Sequence, residues 1–240
     1  SDVQLASPIV EVEGIFEGAE PELRYFFGRS AKMTTEPPEV PGVPALPFAA
    51  PAGYQNRVTI DGLLPGGVYA YRVLNAEGDL GGSFRAVPGM DDTTRIVAYG
   101  DSRSDHDAHQ RVAEAIAAEA PDLVLHSGDM VNMSSADTWQ TFFDILSSVT
   151  ANAPILGTIG NHESDMLRAW FLGLFDPPTG FEDGTSTSFA YGPVYIISIN
   201  YLRDPSRAGF LEWLEAELVK AEAYPYRIML AHGPMHTFSN

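Results

Sequence analysis

Four short polar clusters in this 240-residue chain hold the residue types that can do chemistry: YGDSRSD (99–105), HSGDMVN (126–132), GNHES (160–164) and AHGPMH (231–236). Each follows an apolar, strand-sized run, and each sets a glycine beside its acid, amide or imidazole: Gly100, Gly128, Gly160 and Gly233. Such a residue lets the backbone turn sharply and come close to a bound ion. In an open α/β sheet, ligands bind at the carboxyl ends of the strands. Four separated segments can therefore bring Asp101, Asp129, Asn161, His162 and His232 into one crevice. Asp supplies charge and can bridge two cations, Asn offers a neutral carbonyl oxygen, and His an imidazole nitrogen, a mixture that suits Mn, Fe or Zn. Two such ions ~3.5–4 Å apart turn water into a nucleophile and clamp both oxygens of an in-line displacement at phosphorus. The implied reaction is hydrolysis of a phosphate ester.

Two kinds of element must position these clusters. From residue 94 onward the pattern is strand, helix, strand. TRIVAYGD (94–101) and DLVLHSGD (122–129) read as strands around the helix DAHQRVAEAIAAEA (107–120), whose stripe is Val112, Ile116 and Ala120. The alternation continues through 135–149, 154–163, 164–175, 192–200, 209–223 and 226–232, which predicts parallel pairing in an α/β layered domain. PVYIISI (193–199) is nearly all apolar, as a strand covered on both faces is; Phe210, Leu214 and Leu218 mark the buried stripe of the helix after it.

Residues 1–89 read differently, as an all-β domain. ELRYFFG (22–28), NRVTI (56–60), VYAYRVL (68–74) and GSFRAV (82–87) are strand-like runs between Gly and Pro punctuation, and the proline-rich stretch 34–54 is an extended surface insertion. In VYAYRVL, Tyr69, Tyr71 and Val73 share the face turned to a core. The boundary falls near AVPGMDDTT (86–94), giving domains 1–89 and 90–240.

Composition narrows the classes. There is no cysteine, so any metal sits on oxygen and imidazole. A formal charge of -18 with 14 basic residues argues against stable nucleic-acid binding. No run approaches the ~20 apolar residues of a membrane-spanning helix, so no membrane partner is expected. A start at Ser1-Asp2 fits a processed terminus or a boundary chosen inside a longer chain.

Each reading has a plainer competitor. A lone Gly-Asp pair is a common turn former; the order of the clusters and the four-residue GNHE are what carry weight. His106 and His109 read as solvated positions at a helix start, His126 as a hydrogen-bonded interior histidine, and Trp139, Phe142 and Phe143 as a helix's core face. Ser102 lacks a Gly-x-Ser-x-Gly setting and is a hydroxyl donor to phosphate in preference to a nucleophile. Glu163 either orients a ligand or serves as a helix N-terminal acid.

The ordered motifs GD (100–101), GD (128–129), GNHE (160–163) and His232 followed by Pro234 resemble the calcineurin-like metallophosphoesterases. The stretch VTIDGLLPGGVYAYRV (58–73) resembles fibronectin type III-like domains, an arrangement similar to the purple acid phosphatase branch. The resemblance implies an N-terminal β-sandwich before an α/β metallophosphoesterase domain, and a dinuclear centre of divalent or trivalent ions. In it Asp101 binds one metal, Asp129 bridges, and Asn161 and His232 bind the other, with His162 near the leaving-group oxygen. It also implies a secreted or periplasmic home.

Three departures stand out. The position of the branch's metal-binding Tyr is Asn132. Where much of the superfamily has a histidine two residues after the first Asp, this chain has Arg103, a bidentate phosphate clamp. The family's Gly-His-x-His motif does not occur, so the expectation is a longer gene product or a C-terminal fragment that completes the site. His236 is read as lining the pocket, with Arg103 and Ser102 as further substrate contacts. The oligomeric state is left open. The competing readings are a phosphodiesterase or nucleotidase of the same superfamily and a site-deficient protein that binds through its β domain.

Overall fold

The computed structural model describes residues 9–13, 63–74, 80–164, 168–175, 180–182 and 184–234. The catalytic-looking clusters belong to two sheets stacked face to face. In the first, β4 (Ile96–Tyr99), β5 (Leu123–His126) and β6 (Ile155–Gly157) run parallel in that order. Their crossovers carry α1 (His106–Ala118), α2 (Ala136–Ile145) and α3 (Ser147–Thr150). In the second, β7 (Gly180–Phe181), β8 (Ser186–Tyr191) and β9 (Val194–Ile199) are antiparallel neighbours, and β10 (Tyr226–Ala231) lies parallel to β9 after α5 (Phe210–Ala221). Helix α4 (Arg168–Phe175) lies between β6 and β7 in the chain.

Side-chain alternation explains the stacking. Leu123 and Leu125 of β5 point into a cluster with Tyr191, Val194, Ile196 and Leu230, while Val124 faces Ala113, Ile116, Trp139 and Phe142 from the helices. Across the second sheet, Tyr195, Ile197 and Ile199 turn the other way, onto Phe210 and Ala221 of α5. The order is helices, sheet, sheet, helix. β9 is buried along its whole length, as its apolar sequence requires. Full burial of each such Ile or Leu is worth about 1.5–3 kcal/mol, so the paired sheets are held mainly by area removed from water. No helix among the described residues is long and apolar enough to cross a membrane.

Local signals start the helices. Asp105 caps α1, accepting from the Ala108 amide at 2.9 Å, and Ser135 with Thr138 forms a capping box on α2. The stripes differ from expectation. On α1 the buried residues are His109, Ala113 and Ile116, while Val112 is 41% exposed and Ala120 is exposed. His109 is therefore interior, not solvated, because the Tyr99 hydroxyl meets its Nε2 at 3.2 Å and the Phe142 ring packs on it. On α5 the inward positions include Phe210, Glu217 and Ala221, and Leu218 is exposed. Glu217 tolerates burial because the Ser188 and Tyr195 hydroxyls and the Lys220 ammonium all donate to it.

Upstream, β1 (Ile9–Glu13), β2 (Val68–Leu74) and β3 (Leu80–Arg85) form one antiparallel sheet. Tyr69, Phe84, Leu63 and Ala86 make its small core, with Val68 and Ala70 on the wet face. This sheet touches the second unit directly: the Ser83 amide donates to Asn152 Oδ1, and the Arg85 guanidinium pairs with Asp122 at 3.2 Å. The strands expected at 22–28 and 56–60 and the proline-rich stretch 34–54 lie outside the described residues. One sheet is described here, and the second that a sandwich needs is not among the described residues.

Candidate functional site

The loops that follow β4 and β5 are bonded to each other through their backbones. The Asp101 amide donates to Gly128 O at 3.0 Å and the Ser102 amide to Asp129 O at 3.1 Å. Both aspartates adopt left-handed backbone angles, φ 55° at Asp101 and 56° at Asp129, a conformation costly for residues with a Cβ and concentrated at functional sites. The loop after β6 packs against them without a side chain between. A Cβ on Gly160 would stand 2.3 Å from both the amide nitrogen and Oδ1 of Asp129. Glu163 locks this contact. Its Oε2 accepts from the Asp129 and Gly160 amides (2.9 and 3.0 Å) and its Oε1 from the Met130 and Val131 amides (2.8 and 3.0 Å), at 0% exposure. Burial pushes this carboxyl upward, as does the nearby Asp129 charge, and hydrogen bonds from the Val131, Gly160 and Asp129 amides offset part of that rise.

Three electron-pair donors converge in the crevice. His232 Nδ1 lies 2.9 Å from Ser127 O, and a carbonyl only accepts, so Nδ1 carries a proton and Nε2 turns toward the site. That Nε2 is 3.2 Å from Asn161 Oδ1 and 3.4 Å from Asp129 Oδ1. A positive charge belongs between them. Ligands each ~2.1 Å from one ion stand about 3.0–3.5 Å apart, so a carboxylate, an amide oxygen and an imidazole nitrogen at these separations fit one cation. A second cation would sit between Asp101 and the other Asp129 oxygen. Here Arg103 Nη1 contacts both Asp101 Oδ1 and Asp129 Oδ2. A second ion fits only with this guanidinium displaced. Among the described residues, no group of three or more His, Cys, Asp or Glu is arranged to hold a metal; the convergent set depends on the Asn161 amide.

The remaining predicted residues surround this set. The His162 amide donates to Asp129 Oδ1 at 3.1 Å, its Nδ1 donates to Asn132 O at 2.6 Å, and its Nε2 lies 3.9 Å from Asp129 Oδ2. Ser102 Oγ meets His126 Nε2 at 3.0 Å, and His126 is buried and hydrogen-bonded as expected. Arg103, read from the sequence as a bidentate phosphate clamp, contacts the Asp101 and Asp129 carboxylates. His236 lies outside the described residues. A cavity of about 280 Å³ opens beside Arg103, lined by Ser102, Asn132, Met130 and Phe142 among others.

The expectation of a single open sheet needs correction: Asp101, Asp129 and Asn161 follow strands of the first sheet, and His232 follows β10 in the second. The crevice spans the seam between the sheets. Thr158 bridges the same seam, its hydroxyl donating to Ile199 O at 3.0 Å. The sequence left Glu163 between two roles, a ligand-orienting acid and a helix N-terminal acid; it is instead a clamp on backbone amides, those of Asp129, Met130 and Val131 from the loop after β5 and that of Gly160 in its own loop.

Comparison with known proteins gives the family and the fold. A family model described as calcineurin-like phosphoesterase matches residues 94–240. Acid phosphatase type 7 of Homo sapiens is 31% identical over 201 residues, covering 76% of this chain and 45% of that protein. The Mus musculus acid phosphatase type 7 is 30% identical over 201 residues, with the same coverage. A purple acid phosphatase from yellow lupin (Lupinus luteus) seeds superposes with a TM-score of 0.67 at 18% identity, covering 96% of this chain and 47% of that one, a likeness of fold. The chain spans about half the length of the curated relatives it matches.

Proposed function

The chain belongs to the calcineurin-like phosphoesterase family, and from that premise we propose that it is a metal-dependent hydrolase of phosphate esters, acting on monoesters. The observation that carries this reading is that His232 Nε2 lies 3.2 Å from Asn161 Oδ1 and 3.4 Å from Asp129 Oδ1, with its tautomer fixed from behind by Ser127. Those three residues would hold one ion, and Asp101 with Asp129 Oδ2 the other. When bound, the ions supply Lewis acidity and activate water for attack on phosphorus.

The chain's own groups do the rest. Asp129 is almost wholly buried, so its charge is undiluted by solvent and can hold two cations at once. His162 has its Nδ1 proton committed to Asn132 O, which leaves Nε2 as the atom that exchanges a proton with the leaving-group oxygen. Arg103, were cations to take its place between the carboxylates, would have the fork geometry to grip phosphoryl oxygens. The similarity to proteins named acid phosphatases supports the monoester choice. The division into 1–89 and 90–240, a fibronectin type III-like first domain, and a secreted or periplasmic location belong to the same proposal.

Elemental analysis after loading with manganese or zinc tests it: about two equivalents per chain are expected, with faster turnover of a nitrophenyl monoester than of the bis ester. In the Asp129→Ala variant both metal content and turnover are expected to vanish. A second reading, a site-deficient binding protein, is favoured by one observation, the Arg103 guanidinium standing between Asp101 and Asp129 as a built-in cation. Failure to take up any metal from excess decides for that reading.

A further inference from the structure

We infer that His126 is a positioning residue that aims the Ser102 hydroxyl proton at a phosphate oxygen, and that a single peptide unit, Ser127–Gly128, sets its tautomer. The Gly128 amide lies 3.2 Å from His126 Nδ1. A backbone N–H only donates, so Nδ1 is the acceptor and the neutral ring carries its proton on Nε2. That proton points at Ser102 Oγ, 3.0 Å away. Ser102 therefore accepts through its oxygen and has its own hydroxyl proton to give, and no described residue takes it. Ser102 and Arg103 are both among the residues that line the 280 Å³ cavity.

The ring cannot readily change this assignment. It is 0% exposed and lies edge-on to Tyr99 (centroids 4.4 Å apart) and Phe142 (5.7 Å). Burial holds its pKa down near 3, so it stays neutral across the working range. The other end of the same peptide group does the opposite job. Ser127 O takes the Nδ1 proton of His232, and a trans peptide points its C=O and N–H in opposite directions. One peptide plane thus gives His232 a free Nε2 for a cation and His126 a protonated Nε2 for Ser102. Gly128 pins that plane at φ 93°, where an added Cβ would lie 2.9 Å from Gly160 and from His232 Cβ. The tautomer half of this inference stands on geometry alone; the phosphate half rests on the hydrolase reading.

Long-range nitrogen–proton correlation spectra of histidine-labelled protein test the first half. Nε2 protonation is expected at His126 and Nδ1 protonation at His232, with the His126 signals unchanged between about pH 8 and about pH 5. Binding of inorganic phosphate to the manganese-loaded protein, followed by calorimetry, tests the second. Ser102→Ala and His126→Phe are each expected to weaken it roughly tenfold, the loss of one charge-assisted hydrogen bond. The double variant should be no weaker than either single one. His126→Gln, whose amide N–H can replace Nε2–H, should bind nearly as wild type. A proton on His126 Nδ1, or single-variant losses that multiply in the double variant, overturns the inference. Absence of phosphate binding by the metal-loaded wild type removes the hydrolase reading and the role of Ser102 with it, and the spectra then show whether the tautomer assignment survives.

Discussion

Arg103 contacts two carboxylates, and one of them, Asp129, has a side chain only 2% exposed. A carboxylate that is buried needs a positive neighbour, and removing one partner of such a pair costs about 3 kcal/mol or more. Arg103→Gln is therefore expected to lower the urea midpoint of metal-free protein by a loss of about 3 kcal/mol, and to recover most of it when manganese is added. Metal affinity itself should rise, since the guanidinium no longer competes for the same oxygens. Equal destabilisation with and without metal would place Arg103 in a purely structural role. Glu163 poses the reverse case, a carboxylate held by four amides. Glu163→Gln turns one oxygen into a donor facing N–H donors, and a loss of about 2–3 kcal/mol in chemical unfolding is expected. GNHE was legible as a motif because it follows an apolar strand, but the role of its Glu was not. Sequence records side chains, and three of the four partners of Glu163 are main-chain amides of another loop.

The loops carry the site, so the elements that end in them have to approach without side chains between. Gly160 is the tightest point, with backbone and carboxylate atoms of Asp129 2.3 Å from where a Cβ would be. Gly160→Ala is expected to push the loop after β6 away from the loop after β5, at about 1–3 kcal/mol, and to reduce metal retention even though no ligand is altered. Normal metal content in a destabilised Gly160→Ala protein would show that the loops adjust independently. The same elements show where the sequence was readable. Strands β4, β5, β6, β9 and β10 and helices α1 and α5 followed from apolar runs and helical spacing. The hairpin β8–β9 did not: STSFAY (186–191) opens with three consecutive polar residues in place of an apolar run, and only the Gly192-Pro193 turn announces it. A strand that is apolar on both faces, such as β9, carries no record of which face meets which sheet, so the two-sheet arrangement was hidden. On α1, Ile116 belongs to two helical stripes. Hydropathy favours the one containing Val112, whereas Tyr99 and Phe142 made His109 the buried alternative.

At the level of the whole molecule, two interior histidines couple folding to pH. Burial lowers the pKa of His109 from 6.5 to about 4, helped by the nearby His106, and that of His126 from 6.5 to about 3. In the unfolded chain both bind protons near pH 6.5, while in the folded protein they refuse them until far lower. The stability they contribute is complete above about pH 6.5 and is lost as pH falls through the folded values. Each histidine adds a slope approaching about 1.4 kcal/mol per pH unit inside that window. Most carboxylates titrate near 4, so between about pH 6.5 and about pH 5 the histidines are the main source of acid destabilisation, opposed by Glu163, whose carboxyl is raised by burial. Below it Glu217 joins in. Burial alone would raise this carboxyl, but hydrogen bonds from Lys220, Ser188 and Tyr195 hold it below the usual range, and its stabilisation is lost as pH drops through that lowered value. Urea unfolding of metal-free protein at about pH 7.5, 6 and 5 should therefore show stability falling with acid. His109→Gln keeps an acceptor for the Tyr99 hydroxyl without a titrating nitrogen, so its slope should be shallower by one proton's worth. An unchanged slope in that variant would mean that His109 takes up protons while the protein is still folded, through an opening of the layer between α1 and β4.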